Sequence, residues 1–134
     1  MERVLIVLAL VALVLVAAVL LRRRSRSSPS RVDPAELGLE RPGVGVVEFA
    51  SRYCEACRAW QTALEEADIP FAKIDVGERP ELARRYGVRE TPLVLAVRVP
   101  EGEVMAAHGG DPEPEAVQEL SRLTAPATGD HALA

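Results

Sequence analysis

The chain is poor in metal-binding side chains: among 134 residues there are two cysteines and two histidines, and His108 and His131 stand far from Cys54 and Cys57. A closed structural zinc site draws four such ligands from paired clusters, so zinc is disfavoured and no metal is expected. A basic surplus is also missing, with 16 Lys and Arg against 20 Asp and Glu. Five of the arginines (Arg22, Arg23, Arg24, Arg26 and Arg31) follow one apolar run and Arg3 precedes it, leaving ten basic against nineteen acidic residues from position 32 onward. That part carries a charge of about −9, which argues against nucleic acid as a partner and predicts repulsion from anionic lipid surfaces. No internal repeat is present, and the length allows one folded domain.

Polar side chains are absent altogether from residues 4–21. As a helix this run would be about 27 Å long, close to the hydrocarbon thickness of a bilayer. The competing reading is a cleaved secretory signal, whose apolar core usually spans about 7–15 residues and ends in small side chains. Here the run is longer and ends in Leu20-Leu21-Arg22-Arg23-Arg24. An uncleaved, single-pass anchor in contact with membrane lipid is therefore expected over residues 4–21. Basic flanks stay on the cytoplasmic side, so the arginines after the span predict a cytoplasmic soluble domain. In that compartment a cysteine pair is a working dithiol and not a structural staple.

Residues 22–43 mix Ser, Arg, Pro and Gly and read as a linker with little to bury. Within it, residues 33–37 could begin a short helical turn that Gly38 ends. The folded part is expected over residues 44–124. Residues 44–50 form a β-branched apolar run, as in a strand buried on both faces. Ala56, Ala59, Trp60, Ala63, Leu64 and Ala67 recur at steps of three and four, predicting an amphipathic helix over 55–67. Residues 71–76 read as a second strand. Pro80 opens a helix with Leu82, Ala83 and Tyr86 on its apolar side and Gly87 as its stop. Residues 93–97 and 104–108 read as strands joined by a tight turn at 100–103, and Gly109-Gly110 ends the second of them. Asp111 is the expected cap and Pro112 the expected start of a last helix carrying Val117, Leu120 and Leu123. The tail at 125–134 is expected to be disordered. Strand–helix–strand makes a parallel pair, and the later hairpin adds antiparallel strands to the same sheet. The predicted fold is α/β: a mixed four-stranded sheet flanked by helices, preceded by one transmembrane helix.

Cys54-Glu55-Ala56-Cys57 lies where the first strand gives way to the first helix of this domain. A thiol at a helix start sits beside unpaired backbone N–H groups that favour its thiolate, and a second thiol one turn on is near enough to capture it. Two buried, inert cysteines at helical spacing are the duller alternative. Spacing alone leaves both open.

Further residues bear on the choice. The strand Val46-Val47-Glu48-Phe49, the Cys54–Cys57 motif, Ala72-Lys73-Ile74-Asp75-Val76, Pro80-Glu81-Leu82-Ala83-Arg84-Arg85-Tyr86-Gly87-Val88 and Thr91-Pro92 together make residues 44–124 resemble the thioredoxin family. The resemblance implies a thiol–disulfide oxidoreductase without a cofactor, acting on disulfide-containing proteins and recharged by an unidentified reductant protein or reductase. It implies that Cys54 attacks, that Cys57 resolves, and that Glu48 and Lys73 are the buried acid and lysine beneath the dithiol. It places a cis proline at Pro92, with the Thr91 backbone left free for an extended substrate and Tyr53 beside it. Tyr53 stands where the family commonly has tryptophan, and Glu55-Ala56 where it commonly has Gly-Pro. The charge of Glu55 opposes a Cys54 thiolate, while Arg52 and Arg58 offset it, so the net shift of that thiol is open. Two other functions fit the same residues: an outward-facing thioredoxin serving reductive steps such as cytochrome maturation, and a non-enzymatic docking module for a membrane partner.

Overall fold

The computed structural model describes residues 1–25 and 28–126. Its elements are α1 (Glu2–Ser25), β1 (Gly43–Ala50), α2 (Glu55–Glu66), β2 (Phe71–Asp75), α3 (Pro80–Arg85), β3 (Leu93–Val99), β4 (Val104–Gly109) and α4 (Pro114–Thr124). The four strands form one sheet in the order β2-β1-β3-β4. β1 runs parallel to β2 and antiparallel to β3, and β4 is antiparallel to β3. This is the expected mixed sheet.

Alternation along β1 divides the core. Val47 and Phe49 point to one face, where Ile74, Leu82, Leu95 and Val97 join them. Val46 points to the other face, packed with Trp60 and Leu64 of α2 and Leu120 of α4. Because both faces are covered, the strand has no solvent side, which is why its sequence is apolar almost throughout. α1 is the opposite case. Apart from Tyr53, every large exposed apolar side chain among the described residues lies on this helix or at its start, from Met1 to Leu21. Glu2–Arg22 is long and apolar enough to cross a membrane, a test that a signal sequence also passes.

The linker reading of residues 22–43 needs correction. Val32 and Leu37 are 5% and 0% exposed and belong to the same cluster as Phe49 and Leu82. The segment 30–39 is a strap on the domain. Val104 N–H donates to Ser30 O at 3.1 Å, Val32 N–H donates to Gly102 O at 2.9 Å, and Leu39 N–H closes a turn on Pro34 O at 2.9 Å. The Tyr86 hydroxyl accepts from the Asp33 N–H at 3.0 Å and donates to Glu36 Oε2 at 2.7 Å, while Arg85 pairs with Glu36 Oε1. Arg85 and Tyr86 together hold the Glu36 carboxyl below its ordinary range. Leu37→Ala should therefore cost about 2–5 kcal/mol in a denaturant titration. A true linker residue would cost less than about 0.5 kcal/mol.

The last helix also starts later than expected. Glu113 is extended at φ −82°, ψ 145° and the helix opens at Pro114. A proline disfavours helical backbone in the residue before it, so Pro114 prevents a start at Pro112, and Asp111 is not the cap. β3 continues to Val99, two residues beyond its expected end, because Val99 pairs with Gly43 of β1. Of the expected tail, residues 127–134 lie outside the described residues.

Candidate active site

β1 ends at Ala50 and the chain turns through residues 51–53 into α2. Cys54 is the N-cap residue of that helix, at φ −94°, ψ 108°. Its Sγ accepts the Cys57 N–H at 3.1 Å, as a capping oxygen would. Cys54 and Cys57 are joined in a disulfide with Cα atoms 5.2 Å apart. Cys54 is half-buried, whereas Cys57 is 1% exposed on the stripe that carries Trp60 and Leu64. One sulfur is reachable from outside and the other is not. Tyr53, 88% exposed, projects beside the reachable one. Glu55, Arg52 and Arg58 are all exposed around it.

The Thr91–Pro92 peptide is cis and Pro92 is buried. Thr91 Oγ1 lies 3.1 Å from Ser51 Oγ, a hydrogen bond that ties the proline bend to the loop entering the dithiol. β3 begins at Leu93, so Thr91 stands outside the sheet ladder. Beside the bend lies a groove of about 410 Å³ whose lining includes Thr91, Pro92, Trp60, His108 and Gly110. Trp60 Nε1–H donates to Gly110 O at 2.7 Å and fixes the far wall. The His108 ring stacks on Trp60 at 6.1 Å.

Glu48 is fully buried, on the face of β1 that meets α2. Its Oε1 accepts from Gln61 Nε2 at 2.8 Å, and its Oε2 has no partner. Gln61 is one helical turn beyond Cys57, so the carboxyl sits against the helix face that holds the buried sulfur. Burial pushes the Glu48 pKa up, with the Gln61 hydrogen bond and the Lys73 charge pulling the other way. Gln61 is the residue that the sequence reading missed. Its signal was a polar side chain beside an otherwise apolar stripe.

Lys73 departs from expectation. It is the register partner of Glu48, yet it is exposed and forms no ion pair with it among the described residues. β2 is an edge strand, so a long basic side chain there can keep its ammonium in water.

Comparison with known proteins agrees with this geometry. The thioredoxin family model matches residues 39–121. Thioredoxin of Bacillus subtilis (strain 168) is 36% identical over 84 residues, covering 58% of this chain and 79% of that protein. Thioredoxin of Rhodospirillum rubrum is 32% identical over 78 residues, covering 54% and 73%. Among solved structures, a mutant thioredoxin from Halobacterium salinarum NRC-1 superposes with a TM-score of 0.55 at 23% identity, covering 75% of this chain and 97% of that one. Thioredoxin (Mala s 13) of Malassezia sympodialis gives a TM-score of 0.57 at 20% identity, over 72% and 88% of the two chains. With its Cys54–Cys57 pair, the chain belongs to the thioredoxin family and is a thiol–disulfide oxidoreductase.

Proposed function

We propose that this chain is a membrane-tethered reductant of protein disulfides, with residues 4–21 as its anchor and its soluble domain in the cytoplasm. The observation that carries the dithiol reading is the asymmetry of the pair: a half-buried sulfur caps α2, and a buried one lies a turn inside. Cys54 thiolate attacks one sulfur of the substrate disulfide, and that S–S bond breaks. The departing sulfur takes up a proton, and Cys54 is left in a mixed disulfide with the other. Cys57 then gives up its proton to Glu48 and attacks Cys54 Sγ, breaking the mixed disulfide and releasing the second substrate sulfur as a thiolate, which takes up a proton from solvent. The substrate gains two electrons and two protons, the pair becomes a disulfide, and a dithiol protein or reductase restores it.

Each remaining residue has a part. Gln61 orients the Glu48 carboxyl through its hydrogen bond. Lys73 acts on that carboxyl only through its charge. The Thr91 backbone, outside the ladder beside cis-Pro92, receives an extended substrate segment, and Tyr53 offers it an apolar contact. Reduction and not oxidation is the direction that a cytoplasmic setting favours.

Sidedness is tested on intact cells after brief reduction. A membrane-permeant thiol reagent should modify Cys54, and an impermeant one should leave it unmodified until lysis. Labelling by the impermeant reagent in intact cells would instead put the domain outside, where the cytochrome-maturation reading belongs. A chain whose membrane function survives with serine at both positions would be a docking module.

A further inference from the structure

The strap delivers the chain to a particular end of the sheet. Ser30 O receives the Val104 N–H, Arg31 bridges Glu103 antiparallel, and Val32 N–H reaches Gly102 O. Segment 30–32 therefore runs antiparallel to β4 along the outer edge of the sheet, where β4 is the last strand. Followed backwards from Val32, the chain heads toward Gly109, the end of β4 that pairs with Leu93 beside Pro92. β1 delivers Cys54 to that same end, since Phe49 is the other partner of Leu93. Ser28 accordingly lines the groove together with Pro92, Trp60 and Gly110.

The strap cannot swing away cheaply. Its foot is held by buried Val32 and Leu37 and by the Tyr86 hydroxyl. Its register is fixed at Gly102, where φ is +83° and a Cβ would meet Val32 O at 2.1 Å. α1 ends at Ser25. Three peptide units link Ser25 to Ser28, so chain connectivity alone keeps their Cα atoms within about 11 Å. All of α1 and the strap up to residue 38 lie outside residues 39–121, the region that the family model matches.

We infer that the anchor joins the domain at its dithiol end, so that the groove between Pro92 and Gly110 faces the bilayer surface and takes disulfides of membrane proteins close to that surface. This rests on the tether reading given under Proposed function. A dithiol on a long tether would meet soluble and membrane-borne disulfides alike. One held a few residues from the lipid excludes bulky soluble proteins and meets membrane-borne disulfides at a raised effective concentration.

The full chain in phosphatidylcholine vesicles is compared with a variant carrying about 20 Gly/Ser residues inserted after Arg26, which adds roughly 25 Å of root-mean-square reach. Three disulfides are offered: insulin, a small aromatic disulfide in solution, and a disulfide-looped peptide held at the bilayer surface by its own transmembrane helix. Native chain should reduce insulin about tenfold more slowly than the extended variant, and the membrane-borne peptide about fivefold faster. The small disulfide should be reduced at the same rate by both. Insulin and peptide rates that ignore linker length overturn this inference alone. A chain that fails to float with the vesicles overturns the tether and the inference with it. A chain that floats but reduces none of the three overturns the dithiol reading as well.

Discussion

Cys54→Ser should abolish disulfide reduction, with a loss of about 10³-fold or more, and Cys57→Ser should stop the enzyme at a covalent adduct with its substrate. The difference follows from burial. Cys54 Sγ is half-buried and already accepts the Cys57 N–H, so a thiolate there keeps that hydrogen bond and gains the positive end of α2. Cys57, at 1% exposure, cannot reach a folded protein's disulfide, but its Cα is 5.2 Å from that of Cys54 and it can attack a sulfur held there. The adduct should appear in Cys57→Ser as an added substrate mass on a non-reducing gel and vanish with dithiothreitol. Turnover by Cys54→Ser, or wild-type turnover by Cys57→Ser, would contradict these roles.

Glu48 should give the second large effect, in chemistry and in stability together. If Glu48 takes the Cys57 proton as proposed, Glu48→Gln should slow resolution of the mixed disulfide by about 10²-fold at neutral pH. The deficit should shrink as pH rises toward about 8.5, where a thiol ionises without help. Stopped-flow resolution rates across pH read this directly, and a wild-type profile in Glu48→Gln would leave Glu48 with a structural role only. Stability moves in the opposite sense. Because burial raises the pKa in the fold above the unfolded value, the folded chain holds the proton more tightly. The stability of wild type relative to Glu48→Gln is therefore greatest below the unfolded pKa. It falls as pH climbs from there to the folded pKa, at up to about 1.4 kcal/mol per pH unit, and then levels off. Glu48→Leu, which removes the unpartnered Oε2, should be about 1–3 kcal/mol more stable than wild type at pH 8.

Period and punctuation carried most of the fold. The uninterrupted apolar run of β1, the three- and four-residue steps of α2 and the Pro80–Gly87 frame around α3 each placed an element within a residue or two. The strap escaped for a physical reason. Val32 and Leu37 are isolated apolar residues among Pro, Arg and Glu, with no repeat to mark them, and their burial depends on Phe49 and Leu82, which are distant in the chain. Two competing prolines, Pro112 and Pro114, misplaced the start of α4. At the site, spacing marked the cysteine pair but left its chemistry open, and the family resemblance, not spacing, singled out Pro92. The sequence did not reveal that Lys73 is exposed and, among the described residues, makes no ion pair with Glu48. Register puts the two residues side by side, but only the place of β2 at the sheet edge leaves Lys73 exposed, and only α2 brings Gln61 to the carboxyl.

The most direct measurement is a single turnover of fully reduced protein with a slight excess of a disulfide protein, quenched by an alkylating reagent and read by mass. The dithiol account predicts one Cys54–Cys57 disulfide formed for every substrate disulfide opened, with neither cysteine left to alkylate. Substrate reduced while both cysteines remain alkylatable, or both cysteines free and substrate untouched, would contradict it.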